Sequence, residues 1–267
     1  MDHFYIYHLD PTRQYDIEGD RSSHEDYTLA FELPPRAAGV KRTNARLSSM
    51  GSFVRCNHTP DRKSKQTPFL YDSTSAVVTI HYVHTSWERT RIREGFLLLV
   101  SLEAIMCRAR LASNAEGEDE RIIPWKEWGP QGSRLIQMNA RPAWTTALGT
   151  KCAMVYHDDP YGSRGSLRLR VVLLDVHPCA ALNVTGAQED RHRDGRLIFA
   201  DRIGESSMTC PSDVHTTLPY RLTVRDLTVE GATHPIDCWL TEDGLAVFAL
   251  GGSTGGHSAG GIYGPSI

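Results

Sequence analysis

"LRLRVVLLDV", residues 167–176, changes its pattern halfway along. Leu167 and Leu169 alternate with Arg168 and Arg170, the period of a strand with one wet face. From Val171 to Leu174 the run is apolar throughout, with no polar face. Other segments from residue 71 onward repeat one half of this pattern or the other. "AVVTIHYVH" (76–84) is rich in β-branched and aromatic residues, and "GFLLLV" (95–100) has the composition of a fully buried strand. "YRLTVRDLTV" (220–229) sets Tyr220, Leu222 and Val224 against Arg221, Thr223 and Arg225, which predicts a strand with one wet face. Weaker strand candidates are "AWTTAL" (143–148), "CAMVY" (152–156), "RLIFA" (196–200), "IDCWL" (236–240) and "LAVFAL" (245–250).

Turn chemistry separates these runs at Gly149, "DDPYGSRGS" (158–166), "EDRHRDG" (189–195) and "TEDG" (241–244). Strands at such spacing predict an all-β fold of mainly antiparallel, propeller-like or sandwich-like sheets, with one or two short helices. The clearest helix is "SLEAIMCRARL" (101–111), apolar at 102, 105, 106 and 109 behind Ser101 as N-cap. "HPCAAL" (177–182) suggests another helical turn.

The flanks differ from this centre. Residues 1–70 are a polar segment whose first thirty residues are acidic. From Arg36 to Lys65 eight Lys or Arg residues are opposed only by Asp61. This swing predicts loops or short edge strands, or partial disorder. The β-rich domain is expected over 71–250. The glycine-rich end, 251–267, is expected to be a flexible tail, since ordering so much glycine costs backbone entropy. "AEGEDE" (115–120) is an acidic surface loop.

Bulk properties narrow the function classes. A chain of 267 residues with 40% hydrophobic content can bury a core without staples. A net charge of −3 argues against a dedicated nucleic-acid binder. The six cysteines, at 56, 107, 152, 179, 210 and 238, form no Cys-x-x-Cys and read as reduced thiols, not a disulfide framework. The N-terminus has neither the basic nor the apolar region of a secretory leader, and no apolar run approaches a membrane span. The expected location is intracellular, cytoplasmic or nuclear.

No spacing encodes a recognised chemistry. Gly-x-Ser-x-Gly, phosphate-binding glycine loops and zinc-finger spacings are absent. His157-Asp158-Asp159, with the distant His192, has oxygen and nitrogen donors that a divalent ion could use. "HDDPYG" has the composition of a β-turn, which is the expected reading, and no metal or cofactor is assigned. Loops 157–163 and 189–196 are where a β-fold enzyme or small-ligand binder would carry its site. Trp125 and Trp128 stand three apart in "IIPWKEWGPQGSRLI" (122–136), either as an exposed aromatic surface or as packing at a rigid strand-entry corner turned by Gly129-Pro130. The packing role is the expected one.

The order of the fragments resembles a known family. "IPWKEWGPQGSRLI" (123–136) is similar to the "PW-x-x-WGP-x-x-[ST]R" segment of mushroom-type (agaricomycete) F-box family proteins. "GFLLLVSLEAIM" (95–106), "ALGTKCAMVY" (147–156), "VVLLDVHPCAAL" (171–182), "LPYRLTV" (218–224) and "TEDGLAVFAL" (241–250) resemble further segments of that family in its order, over about residues 75–250. The resemblance marks Trp125, Trp128, Gly129, Pro130, Arg134, Tyr220 and Arg221 as motif or interaction residues. It implies a propeller-like, non-catalytic region that recruits proteins to a ubiquitin-ligase scaffold, with a protein as partner and no cofactor. The family's F-box is an N-terminal helical motif opening on Leu-Pro. Here Leu33-Pro34 is followed by a second proline and a basic run, so the chain resembles the C-terminal region without the F-box itself, and scaffold contact is not expected of it. An incomplete gene product without independent function is the remaining alternative. At about 40–50 residues per blade, some 175 β residues hold about four blades.

Overall fold

The computed structural model describes residues 2–6, 29–50, 76–86, 92–113, 122–138, 140–157, 166–176, 195–198, 201–202, 207–211, 214–230, 232–240, 245–251 and 262–263. The chain begins with strands β1 (His3–Ile6), β2 (Leu29–Glu32), β3 (Val40–Met50), β4 (Val77–Ser86) and β5 (Ile92–Ser101). Helix α1 (Leu102–Ser113), β6 (Ile122–Ile123), helix α2 (Trp125–Gly132) and β7 (Ser133–Met138) follow. Then come β8 (Trp144–Leu148), β9 (Lys151–His157), β10 (Ser166–Asp175), β11 (Gly195–Ile198), β12 (Asp201–Arg202) and β13 (His215–Thr216). The last strands are β14 (Tyr220–Glu230), β15 (Ala232–Leu240), β16 (Leu245–Gly251) and β17 (Ile262–Tyr263). The fold is all-β, with mainly antiparallel sheets and two short helices.

Three sheets follow one another along the chain. They have the orders β3-β4-β5-β7, β11-β14-β10-β9-β8 and β15-β16-β17. The five-stranded sheet is the middle layer. Leu169, Val171, Val155, Ala153 and Val229 of one face pack with Cys238, Leu240, Leu245 and Val247 of β15 and β16. Cys152, Met154, Leu174 and Tyr220 of the other face pack with Val77, Leu97 and Leu99 of β4 and β5.

This layering explains the split pattern of residues 167–176. Leu167 and Leu169 meet the β15–β16 layer while Arg168 and Arg170 stay in water, Arg170 2.9 Å from Asp226. Further along, Leu174 and Val172 turn to the second core, so the strand has apolar neighbours on both sides. β14 behaves likewise, and this departs from the single wet face expected of it. Tyr220 and Leu222 serve one core, Leu227 and Val229 the other, and Val224 is exposed. Its apolar set changes face because the neighbouring layers cover opposite ends of the strand.

The four-stranded sheet is covered on both faces too, so Phe96 through Val100 are all fully buried. Its second face carries Ile80, Tyr82, Phe96, Leu98 and Leu135 beneath α1, α2 and the small sheet β1-β2-β6. Leu29, Phe31 and Leu33 belong to this core, so residues from the polar N-terminal segment complete it. Leu33-Pro34 leaves a strand with Leu33 buried, rather than opening a helix. β6 runs parallel to β2, whereas β1 is antiparallel to it.

α1 begins where Ser101 Oγ accepts the Ala104 amide at 3.4 Å, the expected cap. Gly149, at φ 56°, occupies the first central position of the β8–β9 hairpin, where a left-handed residue is required. The turn is docked to both neighbours: Val77 N donates to Gly149 O at 2.8 Å and Val176 N to Thr150 O at 3.0 Å. Ile262–Tyr263, within the glycine-rich segment expected to be a flexible tail, pairs with Leu245–Ala246. Residues 177–182 lie outside the described residues. Among the described residues no helix is long and apolar enough to cross a membrane.

Candidate functional site

The Pro-Trp cassette is a helix, not the strand-entry corner that its Pro and Gly content predicts. Pro124, extended at φ −62° and ψ 146°, precedes the first turn, where its missing N–H costs nothing. Glu32 reaches across from β2: its Oε2 accepts the Trp125 amide at 3.0 Å, and its carbonyl accepts Trp128 Nε1–H at 3.1 Å. Pro130 sits inside the helix, where it cannot donate back to the preceding turn. The terminal carbonyls are met from outside that ladder. Ser133 Oγ donates to Gly129 O at 2.6 Å, and Thr217 donates to Pro130 O through N and Oγ1 at 2.8 and 2.9 Å.

Both tryptophans are buried. They meet edge to face at 5.0 Å, and Phe4 and Phe31 present their rings to Trp128 at 5.4 and 5.5 Å. The glycines are dictated by this packing. A β-carbon on Gly129 would lie 2.2 Å from the Trp125 ring, and one on Gly132 would lie 2.6 Å from Ala104 Cβ of α1.

Arg134 leaves this helix into β7 and is fully buried. Its guanidinium lies 4.7 Å from the centre of the Tyr220 ring and donates to Thr216 O at 3.0 Å. Leu218 N donates to Ser133 O at 3.2 Å, and Leu135 N to Thr216 Oγ1 at 3.1 Å. Segments 123–136 and 216–220, remote in sequence, therefore form one junction between the four- and five-stranded sheets. Arg221 does not join it, because the next residue of a strand faces the other side of the sheet. His157 ends β9 with its ring 5.5 Å from that of Trp144. Residues 158–165 and 189–194, the remainder of the loops considered for a ligand or metal, lie outside the described residues.

A second polar assembly was not singled out from the sequence. It lies at one end of the four-stranded sheet, where His84 and Glu94 stand directly opposite each other on β4 and β5. Arg42 Nε–H donates to His84 Nε2 at 3.4 Å, and His84 Nδ1 is 3.2 Å from Thr209 Oγ1. Thr209 donates onward to Glu94 Oε2 at 2.5 Å. These directions assign the imidazole proton to Nδ1. Ser207 Oγ also donates to Glu94 Oε2, at 2.7 Å, while accepting the amides of Thr209 and Cys210 at 3.2 and 3.0 Å; Met208 N donates to Glu94 Oε1 at 3.1 Å. Asp2 receives Arg36 and Arg42 at 3.1 and 3.4 Å, and Arg42 also donates to the Pro34 carbonyl.

The electrostatics follow from burial. Desolvation, reinforced by Arg42, lowers His84 to about 4, so its ring is neutral at pH 7. Desolvation pushes the Glu94 carboxyl up, but hydrogen bonds from Thr209 and Ser207 outweigh it and hold the group below its usual range. The Cys210 thiol lies 3.9 Å from His84 Nδ1, and burial raises it to about 11. It is a protonated thiol at neutral pH, not a thiolate nucleophile. The assembly thus links a cation to a carboxylate through a neutral imidazole and a hydroxyl. Its contacts join residues up to about 125 positions apart, each unremarkable alone; the only local signal was two histidines within the apolar strand 76–84.

Comparison of the chain with models of protein families, with characterised proteins and with solved structures finds no match in any of the three.

Proposed function

We propose that this chain is a non-catalytic protein-interaction domain, similar to the β-rich, substrate-recruiting part of F-box-type ubiquitin-ligase adaptors. One observation supports this reading above the others. Two segments of the resembled motif series meet in a single junction, where Arg134 stacks on Tyr220 and Thr217 and Leu218 bond to Pro130 and Ser133. A motif order set by mutual packing is what a shared scaffold would leave in a sequence. On this reading the motif residues build the platform, and recognition belongs to exposed side chains elsewhere.

The test is proximity labelling in cells with the full chain, followed by titration of each recovered protein against the purified chain. A partner that binds with saturable, one-to-one stoichiometry supports the proposal. A labelling profile identical to that of a freely diffusing control, with no partner saturating in vitro, overturns it.

A further inference from the structure

Residues 207–210 cross the open end of the four-stranded sheet and are held there chiefly by polar contacts. Three of their hydrogen bonds end on Glu94, two contacts (from Thr209 Oγ1 and Cys210 Sγ) end on His84 Nδ1, and Thr209 O accepts the Ala37 amide at 2.9 Å. Beneath them Cys210 closes the core that contains Tyr82 and Phe96. We propose that this segment is an acid-released strap: adding protons to His84 and Glu94 breaks the relay and lifts 207–210 from β4 and β5 while the sheets stay folded.

The relay is ordered in one direction only. A proton added at His84 Nε2 would point at the Arg42 N–H that now donates to it, leaving two donors face to face. The groups around His84 favour this response. Arg42 faces it from β3 and Arg36 from the segment before β3; Tyr82 lies on its own strand, Glu94 on β5 and Cys210 on the strap. Asp2 is committed to the two arginines, so among the described residues Glu94 is the carboxylate left to balance an imidazolium. Protonating Glu94 removes that balance and its capacity to accept from Ser207, Thr209 and Met208 together. Both changes act in the same direction.

Cys210 is a built-in reporter, with Cys152 in the core between the sheets as a reference for global unfolding. The intact chain is exposed to 4,4′-dithiodipyridine, a thiol reagent that works in acid, and modification is read cysteine by cysteine by mass spectrometry. Between about pH 7 and pH 4.5, Cys210 labelling is expected to rise about tenfold relative to the denatured chain while Cys152 stays protected. Thr209→Val is expected to raise Cys210 labelling at neutral pH and to flatten its pH dependence. Should that variant label at Cys152 and so prove unfolded, Glu94→Gln serves in its place with the same expectation. Simultaneous exposure of Cys210 and Cys152, protection of Cys210 throughout the range, or a wild-type profile in the folded variant each overturns the strap.

Discussion

Gly129 is held to glycine by a neighbour, not by its own backbone. The Trp125 indole occupies the place a side chain would take. Gly129→Ala must displace a ring packed against Trp128, and overpacking of this kind costs about 1–3 kcal/mol. Thermal unfolding is expected to show a lower Tm, and a melt identical to wild type would refute the contact. Arg134 presents the complementary case, a full-length cation inside the molecule. Arg134→Lys keeps the charge but loses the planar group stacked on Tyr220, and the exchange is not conservative. A double-mutant cycle with Tyr220→Leu, read by denaturant unfolding, is expected to give a coupling of about 1–2 kcal/mol. The sequence made Arg134 and Tyr220 noticeable, each within its own motif. Their contact was not legible, because nothing local specifies which strand faces which.

At the scale of elements, α2 is the instructive failure of sequence reading. Trp-Lys-Glu-Trp-Gly-Pro-Gln-Gly carries two glycines and a proline in eight residues, and by propensity it should not be helical. It is helical because partners from other elements replace what it lacks. Glu32 meets its first amide, and Ser133 and Thr217 meet its last carbonyls. Glu32→Ala should therefore destabilise the protein by about 0.5–2 kcal/mol, as loss of a cap does elsewhere. Chemical denaturation checks this, and Glu32→Gln, which keeps an acceptor oxygen, is expected to retain part of the difference. α1 was legible from Ser101 and its apolar spacing because its cap is local. The strands of 76–100 and 151–176 were legible for a related reason: their alternation or unbroken apolarity records how many faces are covered. β2 left little signal, being only four residues long.

For the whole molecule, acid sensitivity is the clearest consequence of the layering. His81 and His84 are both lowered to about 4, each first by burial and then by an arginine, Arg141 for His81 and Arg42 for His84. A histidine whose folded value is depressed takes up its proton more readily when unfolded. Stability is therefore complete above the unfolded value near 6.5 and declines as pH falls toward about 4. Glu94, also depressed, removes more stability as pH falls below its ordinary carboxylate value and through its lowered folded one. Urea midpoints measured across this interval should fall monotonically, and His81→Asn should flatten the slope without abolishing it. A midpoint independent of pH would contradict the burial of both rings. The N-terminal strands belong to the same cooperative unit, since Phe31 is fully buried against Phe4 and Trp128. Phe31→Ala should cost about 3–5 kcal/mol and lower the transition of the entire chain, not of a separate segment.

By itself the sequence determined the class of fold: strand periodicity, turn residues and a locally capped helix are encoded over a few neighbouring positions. Only the tertiary structure decided what each apolar face meets, why β14 changes sides, and why a proline-bearing segment is helical. It alone brings Arg42, His84, Glu94 and Thr209 into one relay. The physical reason is range. Alternation and local capping act within a turn or a strand, whereas buried charges and improvised helix ends are stable only when distant segments supply their partners.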